Sequence, residues 1–132
     1  MPFVLDASIT AAWLLPDETH AMADAAEERM LHDHAVVPAV WALEVHNLLL
    51  VCERRGRHSR ETTDSILANL SDYPIFEDTE GSGAIMLELA RQNLLSIYDA
   101  SYLELAMRLK IPLATLDKAL QRAAAKHDVP LI

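Results

Sequence analysis

Four acidic side chains, Asp6, Glu44, Asp99 and Asp117, stand where the chain is predicted to change secondary structure or to present one helical stripe, and together they point to a metal site. Asp6 ends the apolar run Phe3-Val4-Leu5, and Asp117 follows the run Leu113-Ala114-Thr115-Leu116. Both carboxylates are therefore expected at the carboxyl ends of strands, the edge at which open α/β sheets bind ligands. Two carboxylates about 4 Å apart repel by about 4 kcal/mol at an effective dielectric near 20, so several gathered in one pocket either keep protons or hold a cation. Oxygen-only donors favour Mg²⁺ or Mn²⁺. Zinc prefers nitrogen and sulfur, and no histidine falls at a matching element end.

Each acid also has a purely structural use. Asp6 could be a turn or cap residue before Ser8, Asp99 a helix N-terminal residue favoured by the macrodipole, and Asp117 the cap of a helix starting at Lys118. Glu44 is harder to explain in that way, because it lies inside an apolar helix where an unpaired carboxylate is costly. Asn47, one turn later on the same stripe, could hydrogen-bond a bound water or a substrate phosphate. Ser8 and Thr115, two residues from an acid on either side, could support the acids from behind, although Ser8 serves equally as a helix cap and Thr115 as a strand residue.

The elements that must position these groups alternate in type. The sequence predicts a strand over 3–6, a short helix capped by Ser8 and stopped at Pro16, and a second helix over about 18–31. A strand over 35–37 follows, then a long helix over 40–55 ended by Gly56, and a helix over 60–70. Further on come a weak strand at 74–76, helices over 84–94 and 98–109, a strand over 113–115, a helix over 118–126 and a last short strand at 129–131. Strands separated by helices imply right-handed βαβ units and a parallel sheet covered on both faces. The long helix has almost no polar stripe, so it is expected to be buried nearly all round, its outer face meeting a second subunit in a homodimer.

With 132 residues, 52% of them hydrophobic, the chain can bury one proper core, and one domain over 1–132 is expected. The single cysteine, Cys52, excludes an internal disulfide or a thiolate metal site, and no leader-like segment opens the chain. A cytoplasmic protein with no membrane span is the resulting expectation. A formal charge of −9 argues against a general nucleic-acid binder, yet a carboxylate active site contributes to that charge and its cation is not in the count. Arg54, Arg55, Arg57, Arg60 and His58 could form a local phosphate-binding strip or simply a solvated turn.

Four segments, Val4-Leu5-Asp6-Ala7-Ser8, Leu43-Glu44-Val45-His46-Asn47, Tyr98-Asp99-Ala100-Ser101-Tyr102-Leu103 and Leu113-Ala114-Thr115-Leu116-Asp117, resemble in order and spacing the signature blocks of PIN-domain ribonucleases. Within that family the chain is similar to the VapC toxins of toxin–antitoxin pairs, and the likeness covers nearly its whole length. The resemblance implies a three-layer α/β/α sandwich with a short, mainly parallel central sheet and about seven helices. It also implies an Mg²⁺- or Mn²⁺-dependent endoribonuclease in which Asp6 and Asp99 bind the metal directly, while Glu44 and Asp117 bind it directly or through water. A homodimer and a VapB-like antitoxin that covers the acidic pocket are implied too, and an arginine of that partner would pair well with the carboxylates.

Two departures from the family pattern stand out: His46 beside Glu44, and Gly81-Ser82-Gly83, which is expected to loosen the start of a helix. A packing or interface role is expected of His46, an exposed turn of His32 and His34, and core packing of Trp13 and Tyr98, either of which could alternatively stack an RNA base. Two rival functions compete. A non-catalytic PIN-like interaction module would use the acidic pocket only to hold a basic segment. An Asp-based phosphotransfer domain fits less well, because a phosphatase of that type needs a second Asp where this chain has Ser8.

Overall fold

Among the described residues four short strands, β1 (Phe3–Leu5), β2 (Ala35–Pro38), β3 (Ile75–Asp78) and β4 (Leu113–Ala114), pair in the order β3-β2-β1-β4, and each of these pairings is parallel. The computed structural model describes residues 1–15 and 20–132. Register is fixed by Val4, which sits opposite Val36 on one side and Leu113 on the other. Because side chains alternate across a strand, Val4 and Val36 point into one half of the core. Phe3, Leu5, Ala35 and Val37 point into the other.

Among the described residues seven helices cover these faces: α1 (Ala7–Leu14), α2 (Ala21–Arg29), α3 (Val40–Arg54), α4 (Arg60–Leu70), α5 (Gly83–Asn93), α6 (Ile97–Leu109) and α7 (Lys118–Lys126). The α6 helix lies across β1, β2 and β4, and its run Ala100 to Ala106 is buried throughout. With α5 and α7 it closes the half that contains Val4, while α1 and α2 close the half that contains Phe3. The result is the expected three-layer α/β/α arrangement with a parallel sheet. Strand order changes direction between β1 and β4, since β2 and β3 extend to one side of β1 and β4 lies on the other. The strand ends on either side of that switch are where an open sheet leaves a crevice.

Several expectations change. Ser8 does not cap α1. The cap position is Asp6, and Ser8 lies inside the helix with its hydroxyl committed elsewhere. The helix expected over 18–31 is described from Ala21 and ends at Arg29, because the next amides turn inward to carbonyls three residues back, Leu31 N to Glu28 O and His32 N to Arg29 O. Its expected start at Glu18, like the stop at Pro16, lies outside the described residues. The strand expected at 129–131 reduces to one bridge between Leu113 and Leu131. Pro130 has no N–H to extend the ladder and contributes only its carbonyl, to Leu113 N. The Gly81-Ser82-Gly83 segment does not loosen α5: Ser82 Oγ caps it by accepting from Ile85 N at 3.3 Å.

The α3 helix is buried along one stripe, Val45, Leu49 and Cys52, and not nearly all round. Leu43 is 72% exposed and Leu50 40%. The neighbours of α3 are α1, α4 and β2, which cover only part of its surface, so its apolar composition exceeds what they bury. Among the described residues no helix is long and apolar enough to cross a membrane.

Candidate active site

Asp6 leaves β1 at the switch point, and its backbone continues the pairing, with Asp6 N donating to Ala114 O at 3.0 Å. That brings the residue after β4 alongside it. Thr115 Oγ1 donates to Asp6 Oδ2 at 2.6 Å, and Ser8 Oγ donates to the same oxygen at 2.7 Å. Ser8 Oγ in turn accepts from Leu116 N at 2.9 Å, and Thr115 Oγ1 accepts from Asp117 N at 3.1 Å. The start of α1 and the loop after β4 are thus laced around one carboxylate. Asp6 is only 4% exposed. Burial holds its carboxyl above the usual range, although the Thr115 and Ser8 hydroxyls pull it down, and the charge of Asp117 adds to the rise.

Glu44, one turn into α3, meets α6 through the Tyr102 hydroxyl, which donates to Glu44 Oε1 at 2.6 Å. Tyr102 is completely buried, and burial together with the Glu44 carboxylate keeps its phenol protonated and therefore a donor. Glu44 also lies above its ordinary range: burial dominates, the Tyr102 bond opposes it, and the charges of Asp6 and Asp99 add to it. Asp99 sits in the first turn of α6, where Ser96 Oγ accepts from its backbone N–H at 3.0 Å. Burial, then Asp117, then Asp6 raise its carboxyl. Asp117 caps α7, its Oδ1 accepting from Leu120 N at 2.8 Å.

All four acids line one cavity of about 280 Å³ with Ala7, Ser8, Ala11, Val45 and Leu48. None of these lining residues is basic. Among the described residues no three His, Cys, Asp or Glu side chains are drawn together as a closed metal cluster, so the acids ring the cavity without converging on a point. The donor set itself fits a hard divalent cation: it is oxygen only, anionic, and its partners of opposite charge are missing from the cavity wall.

Asn47 is not part of this wall. At 3.6 residues per turn the cavity side of α3 runs from Glu44 through Val45 and Leu48, which turns Asn47 outward to solvent. His46 is also exposed, with Nδ1 2.6 Å from the Ala42 carbonyl of its own helix. His34 packs edge-on against Phe76 at the start of β2. Trp13 packs as expected, stacked on Tyr73 with its N–H donating to Ala23 O. Tyr98 does not: it is 59% exposed, because it lies in the first turn of α6, ahead of the run Ala100 to Ala106 that the core covers. Tyr102 is a site residue to which the sequence pattern assigns no role. Its signal was the spacing of three from Asp99, which places both on one side of α6.

A PIN-domain family model matches residues 3–126. The chain belongs to the PIN-domain family. Solved structures similar to this PIN domain include PAE2754 from Pyrobaculum aerophilum, 24% identical, with a TM-score of 0.70 over 93% of this chain and 79% of that one. VapC20 from Mycobacterium tuberculosis, a sarcin-ricin loop cleaving toxin, is 14% identical with a TM-score of 0.62 over 92% of this chain and 94% of its own. FitAcB from Neisseria gonorrhoeae is 16% identical with a TM-score of 0.63 over 98% and 96%. At these identities the likeness is one of fold. No curated protein matches the chain.

Proposed function

We propose that this PIN domain is a divalent-metal-dependent endoribonuclease of the VapC kind, working from the cavity lined by Asp6, Glu44, Asp99 and Asp117. The observation that carries the reading is that four separate chain segments deliver four carboxylates to one cavity without a basic residue in its wall. Such an arrangement is unfavourable for folding alone, because burial and mutual charge raise three of the four acids. It becomes favourable when a cation is held there.

Asp6 and Asp99 would bind Mg²⁺ or Mn²⁺ directly, with Glu44 and Asp117 binding directly or through water. When bound, such a cation neutralises phosphate charge and makes water more acidic. The chain's own contribution is positioning. Ser8 and Thr115 fix the Asp6 carboxylate by one oxygen, and Tyr102 fixes Glu44. Glu44 or Asp117 would orient the attacking water or accept its proton. No side chain in the cavity needs to act as a nucleophile.

The proposal extends to partners. A VapB-like antitoxin would cover the cavity and set an arginine against its carboxylates. A homodimer would cover the exposed leucines of α3, and the protein would act in the cytoplasm as one PIN domain over 1–132.

The test is cleavage of a structured RNA pool in Mn²⁺, Mg²⁺ or EDTA by the wild type, Asp6→Asn and Asp99→Asn. Metal-dependent cleavage by the wild type and loss in both variants supports the reading. Equal cleavage by all three proteins sinks it. Cation binding without any turnover would favour the interaction module. In parallel, a cation at one hundred times its dissociation constant should stabilise the wild type by about 2.7 kcal/mol in thermal unfolding, and Asp6→Asn by much less.

A further inference from the structure

A second cavity, of about 330 Å³, has no lining residue in common with the first but is lined by neighbouring residues of the same two helices. On α3 it is lined by Val40, one turn before Glu44. On α6 it is lined by Tyr98, next to Asp99. One helical turn is about 5.4 Å, so a group in this cavity lies within a nucleotide's reach of the acids.

Its chemistry restricts what could enter. Met86 and Leu105 add to the apolar wall, and Tyr98 stands at the edge with more than half its surface exposed. The charged residues are Arg108, Asp78 and Glu104, which are already paired with one another, and Thr79 and Ser101 are the uncharged polar ones. Arg108 Nη2 donates to Asp78 Oδ1 at 2.7 Å, and Arg108 Nε to Glu104 Oε1 at 2.8 Å. A guanidinium between two carboxylates leaves no excess positive charge for a phosphate or an acidic peptide, and carboxylates so paired do not call for a cation. The cavity therefore suits a neutral, flat group with a polar edge.

We infer that this cavity, with Tyr98 at its mouth, is a subsite for one unpaired base of a single-stranded RNA whose scissile phosphate lies at the carboxylates. The inference rests on the nuclease reading above. Stacking on Tyr98 would provide affinity with little sequence demand, and the Thr79 hydroxyl in the cavity wall would offer a donor and an acceptor to the base edge. The subsite thereby chooses unstacked nucleotides over those in a duplex.

Cleavage of the RNA pool with mapped cut sites, by the wild type, Tyr98→Ala and Tyr98→Phe, tests this. Labelled single-stranded oligoribonucleotides bound to each protein in an Asp99→Asn background provide a second readout. Loss of a stacking aromatic corresponds to about 5- to 150-fold weaker binding, so Tyr98→Ala should bind that much less tightly and flatten base preference at one position near the cut. Tyr98→Phe should retain both affinity and preference. All three proteins should share one melting temperature, since the side chain is exposed. Wild-type affinity and cut pattern in Tyr98→Ala overturn the subsite while leaving the nuclease reading intact, and equal losses in both variants also overturn it. If Tyr98→Ala leaves RNA binding unchanged but weakens an antitoxin peptide, the cavity belongs to a protein partner and the proposal fails. Absence of cleavage by the wild type under every metal is instead a failure of the parent reading and removes the subsite with it.

Discussion

Replacing Tyr102 with Phe deletes a single buried oxygen and with it the 2.6 Å bond to Glu44. A hydrogen bond to a charged group contributes about 1.5–3 kcal/mol. Glu44 is only half-buried, so water can replace the phenol on its carboxylate, which sets the loss near the lower limit, about 1.5 kcal/mol or somewhat over tenfold in the folding equilibrium. The size should depend on pH. Tyr102 pulls the raised Glu44 pKa down, so without the hydroxyl it rises further. The gap between wild type and variant is then smallest below the folded Glu44 pKa of the wild type, where both acids are neutral and the bond is weaker. It reaches full size once the pH passes the still higher value in the variant. Urea unfolding in EDTA across a pH series measures this directly. A gap that is flat with pH, or a variant as stable as wild type at pH 7, would refute the idea that Tyr102 holds an ionised Glu44. Mn²⁺ titration of the same variant should show about tenfold weaker binding, as expected when a residue that orients a ligand is lost.

Asp99→Asn should stabilise the metal-free protein at pH 7 by on the order of 1 kcal/mol, limited by the partial exposure of the site. The wild-type carboxyl is raised on folding, so metal-free stability falls as pH climbs from the unfolded value of 3.8 through the folded one, and the variant should show a flatter profile in thermal unfolding. A lower melting temperature for Asp99→Asn in EDTA would contradict this. Arg108→Ala leaves Glu104, 2% exposed, without its partner and should cost about 3 kcal/mol in urea unfolding. Adding Glu104→Gln should recover part of that loss, because it removes the unpaired buried charge.

Much of the fold was legible because its signals are local. Apolar runs such as Phe3-Val4-Leu5 and Ala35-Val36-Val37 are too short and too apolar for anything but strands buried on both faces, and they lie between periodic helical segments. The helices expected over 60–70 and 118–126 have those bounds in the structure; Asp117 is the cap the sequence offers for the second, and Ser59 is found capping the first. What failed had no local signal. The burial of α3 depends on how many neighbours reach it, and composition alone overstated that. The Ser8 hydroxyl looked like a cap because a cap is the local use of serine, while its actual partners are Asp6 and the Leu116 amide, the latter 108 residues away in sequence. The orientation of Asn47 turned on which side of Glu44 faces the cavity, a matter of tens of degrees around the helix axis.

The sequence by itself determined the element types, the alternating order that implies a parallel sheet, and the four acids, Asp6 and Asp117 after strands, Asp99 at a helix start and Glu44 within a helix. These follow from residue volume, periodicity and capping within a few positions along the chain. Only the tertiary structure decided which of those acids share a cavity, that Tyr102 holds one of them, that Tyr98 stands exposed beside a second cavity, and that no basic side chain enters the acid-lined wall. Each of those depends on the register β1 adopts against β4 and on the rotation of α3 and α6 about their axes. Those are set by the packing of the whole core and leave no mark on neighbouring residues.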